Sequence, residues 1–453
     1  MASEVFCAII LIMAPKKNRL LLYFLTALFL IVTPMVILYT QGYAFDWQAR
    51  KMIKTGGLFF KSSPREAMVA INGRDVKKTN FLSGEVYLTG FLPKEYNIEI
   101  KKDGYRNWKK KLEVQGTIVT TAKNIFLLPQ TINFSPLSVA TTSSTVESFF
   151  FSPYTHELYF IESQGQQWRL VWFNSETQSA VPLHNWLNSK KYTFEKADFT
   201  YLSRNILSHI KSRATTTYMF INPMADIKEA TTTDFTKAFS KFTSVTHDKF
   251  NSVAQNSRPW KLMIDGIIWI EDDGYVHKSD FSGRDTKIYN QEPLSFSPEN
   301  AEMVEYYSEF ILRDSSKLYY LDSSEKNFKK ISSDVTGFEL SPSDPKKVLI
   351  WNAHELSILY LADDNDQPLR KKYQLVFLER FSENIKQAIW LNNDYVALVA
   401  NNTIRIAEID NRDKINFYDI GELDNPRIYY SNKEKKIYAL SQGHFYSSDK
   451  LFE

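Results

Sequence analysis

The chain has 453 residues, of which 43% are hydrophobic and 24% charged, and this balance excludes an intrinsically disordered protein. The length exceeds that of one ordinary core and predicts two or more domains. The net charge of only +3 argues against a nucleic-acid-binding protein. The single cysteine, Cys7, excludes a disulfide within the chain, and the aromatic share of 15% favours β-strands.

An uncharged apolar run from Leu20 to Tyr39 predicts one transmembrane helix, assigned to residues 20–40. About twenty residues at a rise of ~1.5 Å each span roughly 30 Å, the thickness of a bilayer core. A buried core helix and a cleaved signal peptide are the alternatives. The run is long for both, and no A-x-A-like cleavage site follows it. The membrane lipid is therefore the first expected partner.

The orientation of this helix follows from its flanking residues. The basic segment Lys16–Arg19 precedes it, and an aromatic cluster of Tyr43, Phe45 and Trp47 follows it, as in an interfacial belt. We expect residues 1–19 in the cytoplasm and the bulk of the chain outside. Met13 opens a basic lead-in of its own, so the start of translation lies at either Met1 or Met13.

Short alternating strands broken by turn signals predict a small β-sandwich over residues 54–130. The segments with this pattern are Gly56–Pro64, Ala67–Gly73, Tyr96–Tyr105, Trp108–Gly116 and Lys123–Pro129. Asn72-Gly73 is a strong tight-turn pair.

The landmarks of this segment resemble the PEGA domain in order and spacing. They are Thr55-Gly56-Gly57-Leu58, Ser63-Pro64-Arg65-Glu66-Ala67, Ile71-Asn72-Gly73, Leu92-Pro93-Lys94-Glu95-Tyr96, Gly104-Tyr105 and Trp108. The chain has Pro-Arg-Glu-Ala where the family has its Pro-Glu-Gly-Ala signature, so the glycine is missing from that turn. The resemblance implies a small β-sandwich of an envelope or surface protein, without catalytic residues.

Basic residues outnumber acidic ones in this segment, with 14 Lys or Arg against 7 Asp or Glu between positions 54 and 129. One interpretation is contact with anionic lipid headgroups or wall polymer, and the other is a solvated strand edge on which lysines block unwanted pairing. The candidates for anionic-surface contact are Lys101, Lys102, Arg106, Lys109, Lys110 and Lys111.

The region 131–453 predicts a β-propeller of about seven blades, because a turn resembling Phe-Ser-Pro recurs before aromatic strands. These turns are Phe134-Ser135-Pro136, Phe151-Ser152-Pro153, Phe296-Ser297-Pro298 and Leu340-Ser341-Pro342, the last two about 44 residues apart. The predicted units are 149–192, 193–237, 238–292, 293–334, 335–382 and 383–426. The last, 427–453, lacks one strand, which 131–148 would supply to close the ring. A propeller of six or of eight blades is the alternative.

These repeats resemble the WD-like repeats of bacterial envelope propellers, in which Ser-Pro-Asp-Gly precedes a strand, although only Ser-Pro is present here. The order of anchor, PEGA-like domain and propeller resembles a group of bacterial envelope proteins. The fold class is therefore all-β, with one transmembrane helix, a PEGA-like sandwich and a propeller.

No motif for catalysis, phosphate binding or metal binding is present, so we expect no enzyme, cofactor or metal. The seven histidines are scattered singly. Clustered side-chain oxygens at Glu271–Gly274 and Asp363–Asp366 suggest calcium binding, but neither segment has the length and spacing of a known calcium-binding loop.

Three functions remain open. The first is an anchored envelope binding protein whose propeller contacts a protein or a cell-wall glycan. The second is a glycan-active enzyme with paired carboxylates in the central channel. The third is a scaffold in a larger envelope complex.

Overall fold

The computed structural model describes the greater part of the chain, and all structural statements concern that part. It comprises residues 16–137, 144–151, 157–174, 177, 179–199, 206–212, 215–221, 232–233, 259–262, 266–280, 286–297, 301–306, 309–322, 324–342, 344 and 346–452. Two compact units divide the chain: the first runs to Leu127 and includes Arg412–Lys414, and the second holds the remainder from Leu128.

Helix α1 spans Lys16–Thr40 and opens the described part of the first unit. Its segment Leu21–Thr40 is long and apolar enough to cross a membrane, which fits a membrane anchor or a signal sequence. Pro34 lies inside the helix, where a proline is tolerated in a membrane environment. A two-stranded antiparallel hairpin follows, with β1 at Tyr43–Asp46 and β2 at Lys51–Lys54.

Two packed sheets form the sandwich of the first unit. One has the strand order β6-β3-β9 and the other the order β5-β4-β7-β8. Their bounds are β3 Gly56–Ser63, β4 Met68–Ile71, β5 Arg74–Lys78, β6 Glu85–Phe91, β7 Glu95–Lys101, β8 Trp108–Glu113 and β9 Val119–Phe126. Strands β3 and β9 are parallel, and the other pairs are antiparallel.

The sandwich core forms because alternate residues of each strand point inward. Strand β8 shows this clearly: its residues alternate between buried and exposed, with Trp108 fully buried. Tyr105 packs against the same core. Asn72 and Gly73 have φ of 50° and 78°, the left-handed conformation that a tight hairpin turn requires.

Seven antiparallel sheets make up the described part of the second unit. Sheet 1 holds β11 Thr145–Phe151, β12 Leu158–Gln164, β13 Gln167–Asn174, β14 Ser179–Pro182 and β15 Leu187–Asn188, and sheet 2 holds β16 Thr193–Phe199, β17 Ile206–Ser212, β18 Thr215–Ile221 and β19 Thr232–Thr233. Sheet 3 holds β20 Trp260–Leu262, β21 Gly266–Ile270, β22 Val276–Asp280 and β23 Thr286–Ile288, and sheet 4 holds β24 Ala301–Tyr306, β25 Glu309–Asp314, β26 Lys317–Asp322 and β27 Asn327–Ser332.

The remaining three sheets complete the series. Sheet 5 holds β28 Gly337–Leu340, β29 Lys347–Trp351, β30 Glu355–Tyr360 and β31 Leu375–Arg380, and sheet 6 holds β32 Ile385–Trp390, β33 Tyr395–Ala400, β34 Thr403–Glu408 and β35 Phe417–Glu422. Sheet 7 holds β36 Arg427–Ser431, β37 Lys436–Ser441 and β38 His444–Ser448, together with β10 Phe134–Leu137.

These sheets are the blades of a closed propeller. First strands of consecutive sheets are neighbours, as β28 is to β32 and β32 to β36, so the first strand of each blade is the inner one. Strand β11 of sheet 1 contacts β37 and β38 of sheet 7, which closes the ring. Strand β10 completes sheet 7 by pairing with β38, so the predicted strand from 131–148 and the prediction of about seven blades are confirmed within the residues that the structure describes.

The recurring Ser-Pro positions have different structures. Phe134-Ser135-Pro136, predicted as a turn, lies instead in β10, an outer edge strand where the missing N–H of proline costs no ladder bond. Leu340-Ser341-Pro342 ends β28 and begins the turn to β29, as predicted. The prolines Pro153 and Pro298 of the other two motifs lie outside the described residues, as does Cys7.

Candidate functional site

A cleft of about 380 Å³ opens on sheet 5, between the β28–β29 turn and the long connection from β30 to β31. Its lining includes Asp344, Lys347, Tyr360 and a group of aspartates within the segment Asp363–Asp366. The volume lies in the range of small-molecule pockets, but the lining is mainly charged, which favours a polar ligand.

The β28–β29 turn is shaped by hydrogen bonds from short polar side chains. The Asp344 amide donates to Ser341 Oγ at 3.1 Å, and the Lys346 amide donates to Asp344 Oδ1 at 3.2 Å. The backbone N–H of Ser341 donates to the carbonyl of Lys347 at 2.9 Å, which closes the turn. These bonds direct Lys347 and Asp344 into the cleft together.

The β30–β31 connection is ordered by backbone and side-chain bonds. Asp364 and Arg370 exchange two backbone hydrogen bonds of 3.0 and 2.9 Å, so the chain between them forms a closed loop. Asp363 Oδ1 accepts the Lys372 amide at 2.7 Å, and Asp364 Oδ1 accepts the Asp366 amide at 3.0 Å. The connection is far longer than an ordinary hairpin loop, and such loops are commonly functional.

Lys347 supplies the cation at the centre of the cleft. It is only 6% exposed, and its Nζ lies 3.6 Å from Asp344 Oδ2, 3.6 Å from Asp364 Oδ2 and 3.2 Å from the carbonyl oxygen of Asn393. Burial lowers the pKa of Lys347, but neighbouring groups, with Asp394 the largest contributor, more than offset this and raise it. Lys347 therefore stays charged and neutralises part of the aspartate charge.

Arg370 and Tyr360 connect the cleft to neighbouring elements. The Arg370 guanidinium lies 5.8 Å from the centre of the Tyr360 ring and donates to Asn411 Oδ1. Tyr373 stacks on Tyr320 at 4.2 Å between ring centres. Burial raises the pKa of the Tyr360 hydroxyl, against the lowering effect of Lys347 and Arg370, so Tyr360 is a neutral donor or acceptor at physiological pH.

In the two segments predicted to bind calcium, the carboxylate oxygens make contacts within the protein. In the segment Asp363–Asp366, the Lys347 ammonium lies 3.6 Å from Asp364 Oδ2. In the other, Glu271 Oε1 accepts from Trp269 Nε1 at 2.8 Å and Asp273 Oδ1 accepts the Tyr275 amide at 3.0 Å. Among the residues that the structure describes, no three acidic, histidine or cysteine side chains are grouped as metal ligands.

The histidines with described side chains occupy separate places. His184 is buried, with its ring edge-on to Trp168 and Nε2 accepting the Leu170 amide at 3.0 Å; burial lowers its pKa. His277 stacks on Trp269, and His354 Nδ1 contacts the carbonyl of Glu383 at 3.2 Å. His444 lies in β38. Outside the described residues are His156 and His247, and the side chain of His209.

A second polar group lies on the inner strands. Glu339 of β28 reaches across to β32, where its Oε2 accepts the Trp390 amide at 2.7 Å. Burial raises the pKa of Glu339 to about 8, although that hydrogen bond acts in the opposite direction. Gln387 of β32 makes the same kind of contact to the next blade, exchanging two 2.9 Å bonds with the backbone of Ile428.

The six basic residues predicted to contact an anionic surface lie in different environments. Lys101 pairs with Asp75 at 2.7 Å, Lys109 with Glu99 at 3.2 Å, and Lys111 with Glu95. Lys102 Nζ donates to the carbonyl of Arg65 at 2.8 Å, and Arg106 is half-buried.

Lys110 differs from its neighbours on β8. It is only 2% exposed, and its Nζ donates at 3.0 Å to the carbonyl of Lys414, one of the three late residues assigned to the first unit. The exposed face of β7 and β8 therefore carries paired charges, and contact with an anionic surface stays a prediction.

Sequence reasoning missed Lys347 and Tyr360, which line the cleft, Arg370, which contacts Tyr360, and Glu339 on the inner strand. One signal was available for the cleft. The charged, proline-containing run between the apolar segments of β30 and β31 is too long for a simple hairpin loop. For Glu339 no such signal exists, because a single glutamate in a short strand looks like a solvent-facing residue.

Comparison with known proteins identifies the sandwich. The family model of the PEGA domain matches residues 55–126, which confirms the predicted resemblance. No curated protein matches the chain.

Solved structures are similar to this chain at low sequence identity. YCF48 from Cyanidioschyzon merolae has 8% identity and a TM-score of 0.42, with 69% of this chain and 98% of that chain covered. A YCF48 bound to D1 peptide has 12% identity and a TM-score of 0.40, covering 70% and 94%. The β-propeller domain of Cps50 (Swd1) from Myceliophteria thermophila has 11% identity and a TM-score of 0.43, covering 70% and 99%.

Proposed function

We propose that the chain is a membrane-anchored, extracytoplasmic binding or scaffold protein of the bacterial cell envelope. In this proposal helix α1 stays in the membrane with its N-terminus in the cytoplasm, and the propeller contacts a protein or glycan partner. The apolar length of Leu21–Thr40 supports the anchor. The basic lead-in Lys16–Arg19 supports the orientation, and the PEGA domain match supports an extracytoplasmic location.

The observation that carries the binding role is the cleft on sheet 5. Its walls are fixed by turn and loop hydrogen bonds, so its polar groups are arranged before any ligand arrives. Asp363 and Asp366 line the cleft and are exposed, whereas Lys347, which also lines it, is buried. Exposed carboxylates accept hydrogen bonds from hydroxyls, amides or cationic side chains, which are groups that glycans and proteins both present.

A crosslinking pull-down from intact membranes tests this proposal. The chain is compared with the variant D363N/D366N, which keeps the shape of the cleft but removes two charges. The matched control is E325Q/E422Q, which removes two exposed glutamate charges outside the cleft. Protease added outside whole cells reports the topology of residues 54–453 in the same preparation.

A defined envelope protein or wall fragment that is recovered with the wild type and the control, but is reduced with D363N/D366N, supports the proposal. Equal recovery with all three proteins would show that the cleft is not the contact surface. Protection of residues 54–453 from external protease would contradict the extracytoplasmic location. Complete digestion without any recovered partner would count against a stable binding role.

A glycan-active enzyme is the second candidate, and the inner-strand group favours it. Because the pKa of Glu339 is about 8, this carboxyl is protonated at neutral pH, as a general acid for glycoside hydrolysis must be. Burial and then the charges of Glu339 and Glu434 raise the pKa of Tyr429, so both carboxyls lie near one hydroxyl. Release of reducing ends from cell-wall glycan by the full chain, abolished in E339Q and in E434Q, would support this candidate. No release by the wild type would exclude it for that substrate.

A further inference from the structure

The β1–β2 hairpin leaves the end of helix α1 and returns to the same point. Helix α1 ends at Thr40, and β1 begins at Tyr43. At the other end of the hairpin, both the backbone N–H and the Oγ1 of Thr55 donate to the carbonyl of Gly42, each at 2.8 Å. These two bonds close the base of the hairpin, and the Gly42 amide donates to the Tyr39 carbonyl in the last turn of the helix at 3.0 Å, so the hairpin begins directly at the end of the helix.

One face of the hairpin is apolar and exposed. Phe45 and Met52 are directly opposite in the register, so their side chains share a face, and each is 41% exposed. Trp47, at the tip, is 83% exposed and meets the Phe45 ring edge-on at 4.8 Å. Tyr43, two residues before Phe45 on β1, lies on the same face and pairs with Lys54 in the register. Phe45, Trp47 and Met52 are thus three large apolar side chains exposed on one short hairpin.

The hairpin contributes nothing to the core of the sandwich. The buried cluster of the first unit begins at Leu58, and no residue of β1 or β2 belongs to it among the residues described. An isolated two-stranded hairpin is marginally stable in water unless its apolar face packs on another surface. The exposed face of Phe45 and Met52 therefore needs a partner outside the sandwich.

The charges around the hairpin indicate the chemistry of that partner. Arg50, Lys51 and Lys54 are exposed, and Asp46 is the one acidic residue between Tyr43 and Thr55. The Asp46 carboxylate caps the turn by accepting the Gln48 and Ala49 amides at 2.8 and 3.1 Å. Aromatic and thioether side chains beside lysines and an arginine match a bilayer interface, where rings lie at headgroup level and cations meet phosphates.

We propose that the β1–β2 hairpin lies in the headgroup region of the bilayer with Phe45, Trp47 and Met52 directed toward the acyl chains. The inference rests on the proposed function, since it requires that α1 is a membrane anchor. The hairpin is then a second membrane contact that restricts rotation and tilt of the sandwich on its anchor. A single helix would leave the following domain free to pivot at residues 41–42.

Lipid quenching of tryptophan fluorescence tests the position of the hairpin. The full chain is reconstituted in nanodiscs of phosphatidylcholine and phosphatidylglycerol whose acyl chains are brominated near the glycerol. The emission assigned to Trp47 is the difference between the wild type and W47F. W186F is the control, because Trp186 lies in the second unit on the connection to β15 and meets Arg169. We expect strong quenching of the Trp47 emission and no quenching of the Trp186 emission.

Two further variants distinguish the faces. In the W47F background, tryptophan is introduced by M52W on the apolar face or by K51W on the opposite face. Amphipathic elements bury their apolar face ~5–10 Å into the interface, so we expect quenching of M52W to be at least about twice that of K51W. Equal quenching, or none for Trp47, would overturn the inference.

Extraction at alkaline pH separates this failure from failure of the proposed function. A chain that is released from the membrane by carbonate is not anchored, and the proposed function then fails. A chain that stays in the membrane while Trp47 and M52W are unquenched keeps its anchor, and only the hairpin inference fails. Equal thermal unfolding midpoints of M52W and K51W would show that both fold.

Discussion

Lysines meet carboxylates in both units, but in opposite environments. On the sandwich, Lys101 and Lys109 pair with Asp75 and Glu99 across exposed strands. In the propeller, Lys347 lies beneath the surface, between two turns and beside Asp344 and Asp364. Water and salt screen the first kind of pair, so it contributes little to stability. In the second kind the lysine is buried and its carboxylates are partly buried, so removal of the lysine leaves partly desolvated charges without their cation.

The largest effect is expected for Lys347→Met. Loss of the cation leaves Asp344, Asp364 and Asp394 close together, and breaking such a buried pair costs about 3 kcal/mol. Pulse proteolysis of the full chain in urea measures the loss. Lys346→Met, on the same turn but exposed, is the matched control and should stay within about 0.5 kcal/mol of the wild type. Equal effects of the two variants would contradict the comparison.

The pH dependence at Lys347 sharpens the same point. Its pKa is raised in the folded state, so its stabilising contribution is complete below the ordinary value of 10.5 and is lost as pH rises through the folded pKa. The difference in unfolding midpoint between wild type and Lys347→Met should therefore be constant from pH 6 to pH 9 and shrink only in stronger alkali. A difference that shrinks near neutral pH would indicate a lysine with a lowered pKa.

Glu339 extends the comparison to a buried carboxyl held by a backbone N–H. Its folded pKa of about 8 exceeds the ordinary value of 4.5, so the wild type loses stability as pH rises between these values. Glu339→Gln keeps an oxygen for the Trp390 amide and cannot ionise. The difference between 4.5 and about 8 corresponds to about 5 kcal/mol, so the variant should be more stable than the wild type at pH 9 by several kcal/mol. At pH 5 the two should be equal. A wild type whose stability is constant from pH 5 to pH 9 would show that Glu339 titrates normally.

The smallest effects are expected on the sandwich. Lys109→Gln and Lys111→Gln each remove one partner of an exposed ion pair, and the remaining carboxylate is hydrated. The thermal unfolding midpoint of each variant should equal that of the wild type within experimental error, at low and at high salt. A salt-sensitive loss of stability in either variant would mean that the strand pair β7–β8 depends on these contacts.

The contrast between the units also separates what the sequence predicts from what it leaves open. Alternation in strands such as β7 and β8 predicts the sandwich because buried and exposed positions follow the pleat. Strand β5 could not be found in this way, since all five residues of Arg74–Lys78 are exposed and no apolar period marks it. The short last unit predicted the closing strand, because an incomplete blade exposes an edge.

The cleft illustrates why sites are harder to predict than blades. Lys347 meets Asp364 from the far end of a hairpin and Asn393 from the next blade. These contacts depend on strand register and on the angle between blades, which no local pattern encodes. The sequence indicates a calcium site at the aspartates of the β30–β31 connection, but it gives no sign that Lys347 lies beside them.

The pairing of β10 with β38 has a consequence for the synthesis of the chain. Phe134 pairs with Ser448, so the strand that completes sheet 7 is made long before its partner. Contacts between such distant residues form slowly, because the intervening chain must be ordered first. During synthesis, β10 therefore has no partner strand until β38 has been made, and Phe134 and Leu137 stay exposed until then. A chaperone that binds extended apolar segments would bind β10 at this stage, and pairing of β38 with β10 would displace it.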